Sequence, residues 1–358
     1  MSHNLLITGG AGFIGTNFIR YWFQRHPKDR IIVLDALTYA GNKNNLMFCL
    51  GSANVEFIHD SICNQELVNR VFNKHEIDRV VHFAAESHVD RSIMGPDEFI
   101  NTNIWGTYTL LKAAKSNWLD KNVTDHLFHH VSTDEVYGSL QPDEAVFNES
   151  HPYAPNSPYS ASKAASDHLV RSYHKTYGLK VTTSNCSNNY GPYHFPEKLI
   201  PLCLLNILSG KTLPIYGDGK QVRDWLYVDD HCSGIDLILR GGTIGDTYNI
   251  GGSNEWTNID VVNLLCELVE EKFRYSSGLK SRFSNSPCSK NKDPKSLITH
   301  VEDRLGHDTR YAIDASKIEQ ELGYKPSVTF EKGLSMTIDW YLDNEAWWRA
   351  ILDGSYMS

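Results

Sequence analysis

The chain has 358 residues, of which 41% are hydrophobic and 22% are charged, and its formal net charge is −9. This length is sufficient for two lobes around a large buried core. The acidic balance argues against nucleic acid or an anionic membrane as the main partner, because both require a basic face. No apolar run is long enough to predict a membrane span, and the first residues lack the pattern of a signal peptide.

The cysteines and histidines predict neither a disulfide framework nor a metal site. Seven cysteines are scattered along the chain without a CxxC pair. This pattern predicts reduced thiols and hence a cytoplasmic protein. The sixteen histidines form no HExxH motif, and the adjacent His129 and His130 would point to opposite faces of a strand. We therefore predict no metal site.

The first half of the chain alternates short apolar runs with longer helical patterns. The runs predict strands at residues 5–8, 31–34, 55–58, 79–83, 127–132 and 180–184. Helical patterns lie between them, notably at residues 15–25 and 104–117. Strand–helix alternation with apolar strands predicts an α/β fold: a doubly wound parallel sheet of the Rossmann type, covered on both faces.

The pattern changes near residue 188, where turn-rich segments begin and only two long helices are predicted, at 259–274 and 330–343. We therefore expect a first domain at residues 1–187 and a smaller mixed α/β lobe at 188–358, with some segments returning to the first domain. Residues 275–295 are rich in Ser, Lys, Asn and Pro, which predicts an exposed, mobile loop. Trp347 and Trp348 are expected to close the last helix onto the body.

A glycine-rich turn follows the first predicted strand and opens the first helix. Gly9, Gly12 and Gly15 have GxxGxxG spacing, which lets the backbone approach a pyrophosphate at the helix N-terminus. Asp35 ends the second strand, where a carboxylate accepts hydrogen bonds from the adenosine ribose and repels a 2′-phosphate. The sequence therefore predicts NAD rather than NADP as cofactor. The alternative is a glycine turn with an unrelated aspartate.

Two further groups carry possible chemistry. Tyr159 and Lys163 are four residues apart in a predicted helix, so they share a face, and a neighbouring ammonium and a cofactor cation would favour the phenolate. Thr133, Asp134 and Glu135 follow the carboxyl end of a predicted strand, and ligands bind at the carboxyl ends of strands in open α/β sheets. Two adjacent carboxyls there suit a 1,2-elimination, which needs one proton acceptor and one proton donor. The alternatives are a surface pair and a solvated acidic loop.

In these features the chain resembles the extended short-chain dehydrogenase/reductases, and within them the dTDP-glucose 4,6-dehydratase family. The resemblance covers nearly the whole chain. Its motifs are TGGAGFIG (8–15), HFAAESHVDRS (82–92), STDEVYG (132–138), SPYSASKAASDHLVR (157–171), NNYGPYHFPEKLIP (188–201), QVRDWLYVDDH (221–231), YNIGG (248–252) and DRLGHDTRYAID (303–314).

The resemblance implies a lyase that forms a 4-keto-6-deoxy sugar from a nucleotide-diphosphate hexose, as in dTDP-rhamnose and other deoxysugar biosynthesis. Tyr159 would take the 4-hydroxyl proton, tuned by Lys163, and Thr133 would hold the 4-oxygen. Glu135 would remove the carbon 5 proton, and Asp134 would protonate the leaving 6-hydroxyl. NAD would be regenerated in each cycle.

The resemblance also implies two sets of binding residues. The cofactor set is Gly9, Gly12, Phe13, Ile14, Gly15, Asp35, Thr38, Ser61, Ile62, Ala84, Ala85, Thr102, Tyr159, Lys163 and Asn189. The substrate set is Ser87, Thr133, Asn188, Lys198, Leu199, Pro214, Tyr216, Arg223, Asn258, Arg304 and His307. The chain departs from the family in two places. Ser61 stands where the family has Asp beside the adenine, and the 275–295 segment looks longer.

A homodimer through the helices near 104–116 and 160–177 is a further implication of the resemblance. Two alternatives stay open. One is a UDP-glucose 4,6-dehydratase, or another dehydratase or epimerase of nucleotide sugars. The other is a non-catalytic NAD-sensing protein, which would be expected to have lost Tyr159, Lys163 or the acid pair.

Overall fold

The computed structural model describes residues 2–303 and 306–357. Its centre is a seven-stranded sheet in which every neighbouring pair of strands is parallel. In spatial order the strands are β10 (Thr247–Ile250), β6 (Val181–Cys186), β5 (Leu127–Thr133), β4 (Arg79–His82), β1 (Asn4–Thr8), β2 (Arg30–Asp35) and β3 (Val55–His59). The order reverses between β1 and β4, as in a doubly wound Rossmann fold, so the predicted fold class is confirmed.

Helices cover both faces of this sheet, with α1 and α8 in contact on one face and α2, α5 and α6 in contact on the other. The helices are α1 (Phe13–Arg25), α2 (Gln65–His75), α3 (Val89–Met94), α4 (Asp97–Phe99), α5 (Thr107–Ala114), α6 (Pro158–Tyr177), α7 (Leu199–Ser209), α8 (Val228–Gly241), α9 (Asn258–Tyr275), α10 (Ser277–Arg282), α11 (Ser316–Leu322), α12 (Phe330–Asp343) and α13 (Glu345–Asp353). π-helical turns at Ile100–Gly106 and Lys115–Leu119 extend α5 at both ends.

Two small sheets lie in the second half of the chain. In one, β9 is flanked by β11 and β13 and also pairs with β7, and in the other, β8 pairs with β12. Their strands are β7 (Asn188–Tyr190), β8 (Leu213–Tyr216), β9 (Val222–Tyr227), β11 (Glu255–Thr257), β12 (Ile298–Val301) and β13 (Arg310–Tyr311). These short strands and the helices α7, α9 and α12 form the mixed α/β part of the molecule.

The apolar strands are buried because side chains of both faces pack under helices. In β1, Leu5 and Ile7 belong to the core beneath α1 and α8, whereas Leu6 belongs to the core beneath α2 and α5. This alternation follows from the two-residue repeat of a strand. Full burial stabilises each such side chain by about 1.5–3 kcal/mol. The continuous apolar runs of the sequence are therefore explained by a sheet covered on both sides.

Three element predictions need correction. The first helix begins at Phe13 rather than at residue 15, and the helix predicted at 104–117 is part of a longer helical segment, 97–119. The mobile loop predicted at 275–295 is wrong. That segment contains α10 and two short 3₁₀ helices, because buried Phe283 and Cys288 anchor it to the core of the second half. Among the described residues, no helix has the length and apolarity needed to cross a membrane.

Candidate active site

The glycine loop between β1 and α1 has no room for side chains at two of its positions. Gly9 has a φ of +70°, and a Cβ there would lie 2.6 Å from the backbone nitrogen of Ala84. A Cβ on Gly15 would lie 2.2 Å from the carbonyl oxygen of Gly9. Gly12 precedes the first turn of α1, whose free N–H groups and positive dipole end favour an anion. The loop is therefore shaped for a phosphate group.

Asp35 lies at the end of β2, beside this loop. Its Oδ2 accepts a hydrogen bond from the Ala11 nitrogen at 2.9 Å, and its Oδ1 accepts one from the Leu37 nitrogen at 2.8 Å. Burial raises the pKa of this carboxyl, against the lowering effect of these two backbone bonds. Each oxygen retains a second lone pair, so Asp35 can bind a ribose hydroxyl while it holds the loop.

Ser61 is the first of the two places at which the sequence departs from the family. Ser61 and Ile62 line the same cavity as Asp35. The carboxylate of Asp60 is used locally, since its Oδ1 accepts from the Ser61 nitrogen at 2.7 Å and from the Asn64 side chain at 3.3 Å. Ser61 therefore lines the cavity, whereas Asp60 does not.

Helix α6 presents Tyr159 and Lys163 to the cavity. Its start is fixed by a capping box, in which Ser157 and Ser160 exchange side-chain and backbone hydrogen bonds, and by Pro158 in the first turn. Tyr159 is therefore in the first turn, and Lys163 is one turn later on the same face. Lys163 Nζ donates to the Val131 carbonyl at 2.8 Å.

Burial dominates the electrostatics of this pair. Burial, and next the charge of Glu135, raise the pKa of Tyr159 well above its ordinary value. Burial also lowers the pKa of the Lys163 ammonium. In the protein chain alone, desolvation therefore outweighs the stabilisation of the phenolate that the neighbouring lysine was expected to give.

Thr133, Asp134 and Glu135 stand at the carboxyl end of β5, where the chain turns into a short 3₁₀ helix. Thr133 Oγ1 lies 3.3 Å from both the Asp134 carboxylate, to which it donates, and the Glu135 nitrogen, from which it accepts. Asp134 is 2% exposed. Within the described part of the chain, its Oδ2 is buried without a hydrogen-bond partner.

The two acids have different environments. Burial, and next the negative charge of Glu135, raise the pKa of Asp134 well above its ordinary value. Of the two acids, Asp134 is therefore the one whose surroundings favour the protonated form, which suits a proton donor. Glu135 is partly exposed to the cavity and is the better candidate for the proton acceptor.

The cavity wall also carries the cations expected to hold a diphosphate. Arg223 is buried on β9, where Nη1 donates to the Val222 carbonyl at 2.8 Å and Nη2 donates to the Asp308 carbonyl at 3.0 Å. Its guanidinium carbon lies 4.4 Å from the centre of the Tyr311 ring. The guanidinium group is therefore held in one orientation, and its remaining N–H groups can donate to an anionic ligand.

The structure brings all the described residues of the predicted site to the wall of one cavity of about 710 Å³. They are Gly9, Gly12, Phe13, Ile14, Gly15, Asp35, Thr38, Ser61, Ile62, Ala84, Ala85, Ser87, Thr102, Thr133, Asp134, Glu135, Tyr159, Lys163, Asn188, Asn189, Lys198, Leu199, Pro214, Tyr216, Arg223, Asn258 and His307. Arg304 falls outside the described residues.

Several residues of this wall were missed. Glu197 sits beside His88, with 3.5 Å between its Oε2 and His88 Nε2, and His194 stacks on Phe13 with 4.3 Å between ring centres. Tyr311 also lines the cavity. All four lie inside motifs already quoted from the sequence, so the signal was present. Only the folded chain shows that the side chains of those motifs point inwards.

Comparisons with known proteins agree on the family. A sequence model described as GDP-mannose 4,6 dehydratase matches residues 6–337. The chain is 53% identical, over 98% of its length and 96% of the relative's, to a dTDP-glucose 4,6-dehydratase of Xanthomonas campestris pv. campestris. It is 51% identical, over 98% and 97%, to that of Neisseria meningitidis serogroup B. The chain belongs to the dTDP-glucose 4,6-dehydratase family.

A solved member of the dTDP-glucose 4,6-dehydratase family shares the fold throughout. The crystal structure of the Streptomyces venezuelae enzyme, which has NAD bound, matches with a TM-score of 0.86 and 46% identity. The match covers 97% of this chain and 99% of that one. The likeness therefore includes both the sheet and the smaller lobe.

Proposed function

We propose that the chain is an NAD-dependent hydro-lyase that converts dTDP-glucose to dTDP-4-keto-6-deoxyglucose and water. The observation that carries this proposal is the meeting of three groups in one cavity: the glycine loop, the Tyr159–Lys163 pair, and a buried Asp134 beside Glu135. The close relatives carry the name of this activity. An epimerase has no need of a protonated acid next to a carboxylate at the strand end.

The residues fit NAD. The tight backbone at Gly9 and Gly15 leaves space for a pyrophosphate at the N-terminus of α1, and Asp35 disfavours a 2′-phosphate. Bound NAD would supply the hydride acceptor for carbon 4 of the hexose and the hydride donor for carbon 6. Lys163 would hold the nicotinamide ribose, and Asn189 would contact the same end of the cofactor.

Oxidation at carbon 4 depends on the removal of the 4-hydroxyl proton. Tyr159 is the base in this proposal, since it is buried in the cavity and shares a helix face with Lys163. Thr133 would donate a hydrogen bond to the 4-oxygen. The product of this step is a 4-ketone, which makes the proton on carbon 5 acidic.

Elimination then uses the acid pair. Glu135 takes the carbon 5 proton, and Asp134 gives its proton to the 6-hydroxyl, which leaves as water. The raised pKa of Asp134 favours its protonated form, which supports its role as proton donor. After hydride reaches carbon 6, a proton returns to carbon 5. The net change is the loss of one water molecule, and the cofactor ends in the form in which it began.

The nucleotide diphosphate is assigned to the smaller lobe. Arg223, with its fixed fork, is the principal anchor, and Lys198, Asn258 and His307 lie on the same cavity wall. We propose residues 1–187 as the cofactor-binding domain and 188–358 as the nucleotide-sugar lobe, with β10 returning to the sheet. The cytoplasm remains the proposed compartment.

A homodimer is also proposed, through the helical segment 97–119 and α6. Exposed apolar side chains support this interface: Ile100 is 50% exposed and Trp105 is 54% exposed on the first segment, and Tyr177 is 48% exposed at the end of α6. Such a cluster suits a protein partner. Size-exclusion chromatography with light scattering would test it, and a monomer at micromolar concentration would contradict it.

The test of the activity is incubation of the purified protein with a panel of nucleotide hexoses, followed by mass spectrometry. We expect a product of dTDP-glucose that is lighter by one water, with less or none from UDP-glucose. Conversion to an isomer of unchanged mass would indicate an epimerase. Tight retention of NAD without conversion of any sugar would indicate a binding protein.

Glu135→Gln is the variant that separates the steps. It should lower the rate of water loss by about 10²- to 10⁴-fold, because it removes a general base. Oxidation at carbon 4 does not need this carboxylate, so reduced nicotinamide should accumulate during a single turnover. Tyr159→Phe is the matched control, since it should abolish both signals. Full dehydration by Glu135→Gln would refute the assigned role.

A further inference from the structure

A buried carboxylate lies behind the cavity on the same face of α6 as the tyrosine and the lysine. Tyr159, Lys163 and Asp167 follow one another at four-residue intervals, so they form a single stripe along the helix. Their exposed fractions are 9%, 4% and 5%. Asp167 has no part in the steps described above. A fully buried charge is costly unless it is paired, so this third residue requires an explanation.

Asp167 is held by donors on the strand that carries the catalytic residues. The Ser132 hydroxyl donates to its Oδ2 at 2.9 Å, and His130 Nε2 lies 2.9 Å from its Oδ1. Ser132 directly precedes Thr133, and the Val131 carbonyl on the same strand accepts from Lys163 at 2.8 Å. The strand end and the helix stripe are therefore joined by two contacts to Asp167 and one to Lys163.

Asp167 is the acid one helical turn from Lys163 on the same face of α6. Burial lowers the pKa of Lys163, and Asp167 is the largest opposing influence, ahead of Cys186. The other groups that face this region from neighbouring elements are the imidazoles His82, His130 and His168, the hydroxyls of Tyr137 and Tyr153, and the acids Asp134 and Glu135 around Tyr159. Burial lowers the pKa values of His82 and His130, so these imidazoles are neutral.

We propose that Asp167 is a positioning residue for the reaction, which keeps the Lys163 ammonium charged and fixed against β5 and thereby supports the phenolate of Tyr159. This inference rests on the proposed function. Asp167 does not line the cavity, so its effect would pass through Lys163. Loss of its negative charge makes the buried ammonium less stable, which removes positive charge from beside the phenolate and raises the pH at which Tyr159 can act as base.

The decisive variant is Asp167→Asn, which keeps the shape of the side chain and removes its charge. The rate of nicotinamide reduction in a single turnover should be measured against pH. We expect the acidic limb of the profile to move upward by about one pH unit, because a nearby charge shifts a pKa by about 1–3 units. A folded Asp167→Asn protein with the wild-type midpoint would overturn the proposal.

The matched control is Asp236→Asn. Asp236 is also a buried helix carboxylate contacted by a histidine, with 3.1 Å between its Oδ1 and His26 Nε2, but it lies on α8 away from the cavity. It should lose comparable stability without any movement of the pH profile. An equal shift in both variants would mean that Asp167 acts only through general stability, and the proposal would fail.

A second variant decides the matter if Asp167→Asn does not fold. Ser132→Ala removes one donor to the carboxylate, whose pKa burial already raises to about 6, and so lets Asp167 take up a proton more readily. We expect a smaller shift of the profile in the same direction. An unmoved profile in folded Ser132→Ala would count against the proposal in that case.

One further measurement separates this proposal from the proposed function. If the wild-type protein converts no sugar nucleotide, the proposed function is wrong. The absorbance of tyrosinate in the NAD-loaded protein is then titrated, with Tyr159→Phe as the blank. The Tyr159 signal should appear at higher pH in Asp167→Asn than in the wild type. Identical titrations would overturn the role of Asp167 whatever the reaction is.

Discussion

Replacement of Gly15 by alanine tests whether the loop geometry is needed for cofactor binding. The new Cβ would lie 2.2 Å from the Gly9 carbonyl oxygen and 2.8 Å from Gly10 Cα. To reach an ordinary contact of 3.4 Å, that carbonyl must retreat by about 1.2 Å. The same oxygen accepts the hydrogen bond from the Gly12 nitrogen at 3.2 Å, so the turn itself would have to open.

The expected cost follows from this displacement. Overpacking of a close-packed site costs about 1–3 kcal/mol, and each kcal/mol lowers Tm by roughly 2–4 °C in a domain of this size. Gly15→Ala should therefore melt about 2–12 °C below the wild type without NAD. The moved N–H groups should also lose at least one charge-assisted hydrogen bond to the pyrophosphate, which weakens NAD binding by about tenfold or more.

Differential scanning calorimetry and isothermal titration with NAD give both quantities. Gly12→Ala is the control for stability, because its Cβ would lie 3.4 Å from the Gly9 oxygen and its backbone is in the extended region. It should melt close to the wild type without NAD. A Gly15→Ala protein that melts no lower than Gly12→Ala and binds NAD like the wild type would refute the reasoning.

Three further predictions concern the acid, the arginine and the core. Asp134→Asn should lower dehydration by about 10²- to 10⁴-fold. Because burial raises the pKa of this carboxyl above 3.8, wild-type stability is lost as pH rises from that value. The variant should therefore gain relative stability in thermal melts as pH rises above ~4, and an opposite trend would contradict this. Arg223→Lys should raise KM for dTDP-glucose by about tenfold, since an ammonium cannot reproduce the fork, and an unchanged KM would exclude the anchor role. Trp348→Ala should lower the free energy of unfolding by about 3–5 kcal/mol in denaturant titrations, because the ring is 2% exposed in the core of the second half. A loss below about 1 kcal/mol would contradict that packing.

The sheet could be predicted because its strands are buried on both faces. Residues 5–8 and 31–34 read as unbroken apolar runs, and the structure extends each by only one or two residues. β10 was not predicted as a strand, since its four residues lie among glycine turns and pair with a strand more than sixty residues earlier. Such a long-range pairing leaves no local signal.

The site could be predicted where chemistry and spacing coincide in one motif, as at Tyr159 and Lys163. The balance between burial and neighbouring charge could not be predicted, because the burial that raises the pKa of Tyr159 exists only in the folded chain. The segment at 275–295 was misread because composition reports the average polarity of a stretch. Two anchoring side chains, Phe283 and Cys288, are enough to hold a polar stretch in place.

The position of Trp347 shows that the last helix reaches the cofactor half of the molecule. Its indole Nε1 donates to Asn45 Oδ1 at 2.7 Å, and the Asn45 amide donates in turn to the Ala11 carbonyl in the glycine loop at 3.0 Å. The predicted closure of the last helix onto the body therefore has a definite contact.

The return of β10 to the sheet has a consequence for biosynthesis. Every residue of β6 is buried, and β10 covers its outer edge with four residue pairs. A nascent chain that has emerged only to residue 187 would present β6 as an open edge, which is a site for pairing with other chains. The cofactor half is therefore expected to need protection until about residue 250 has left the ribosome, and a fragment that stops at residue 187 is expected to aggregate.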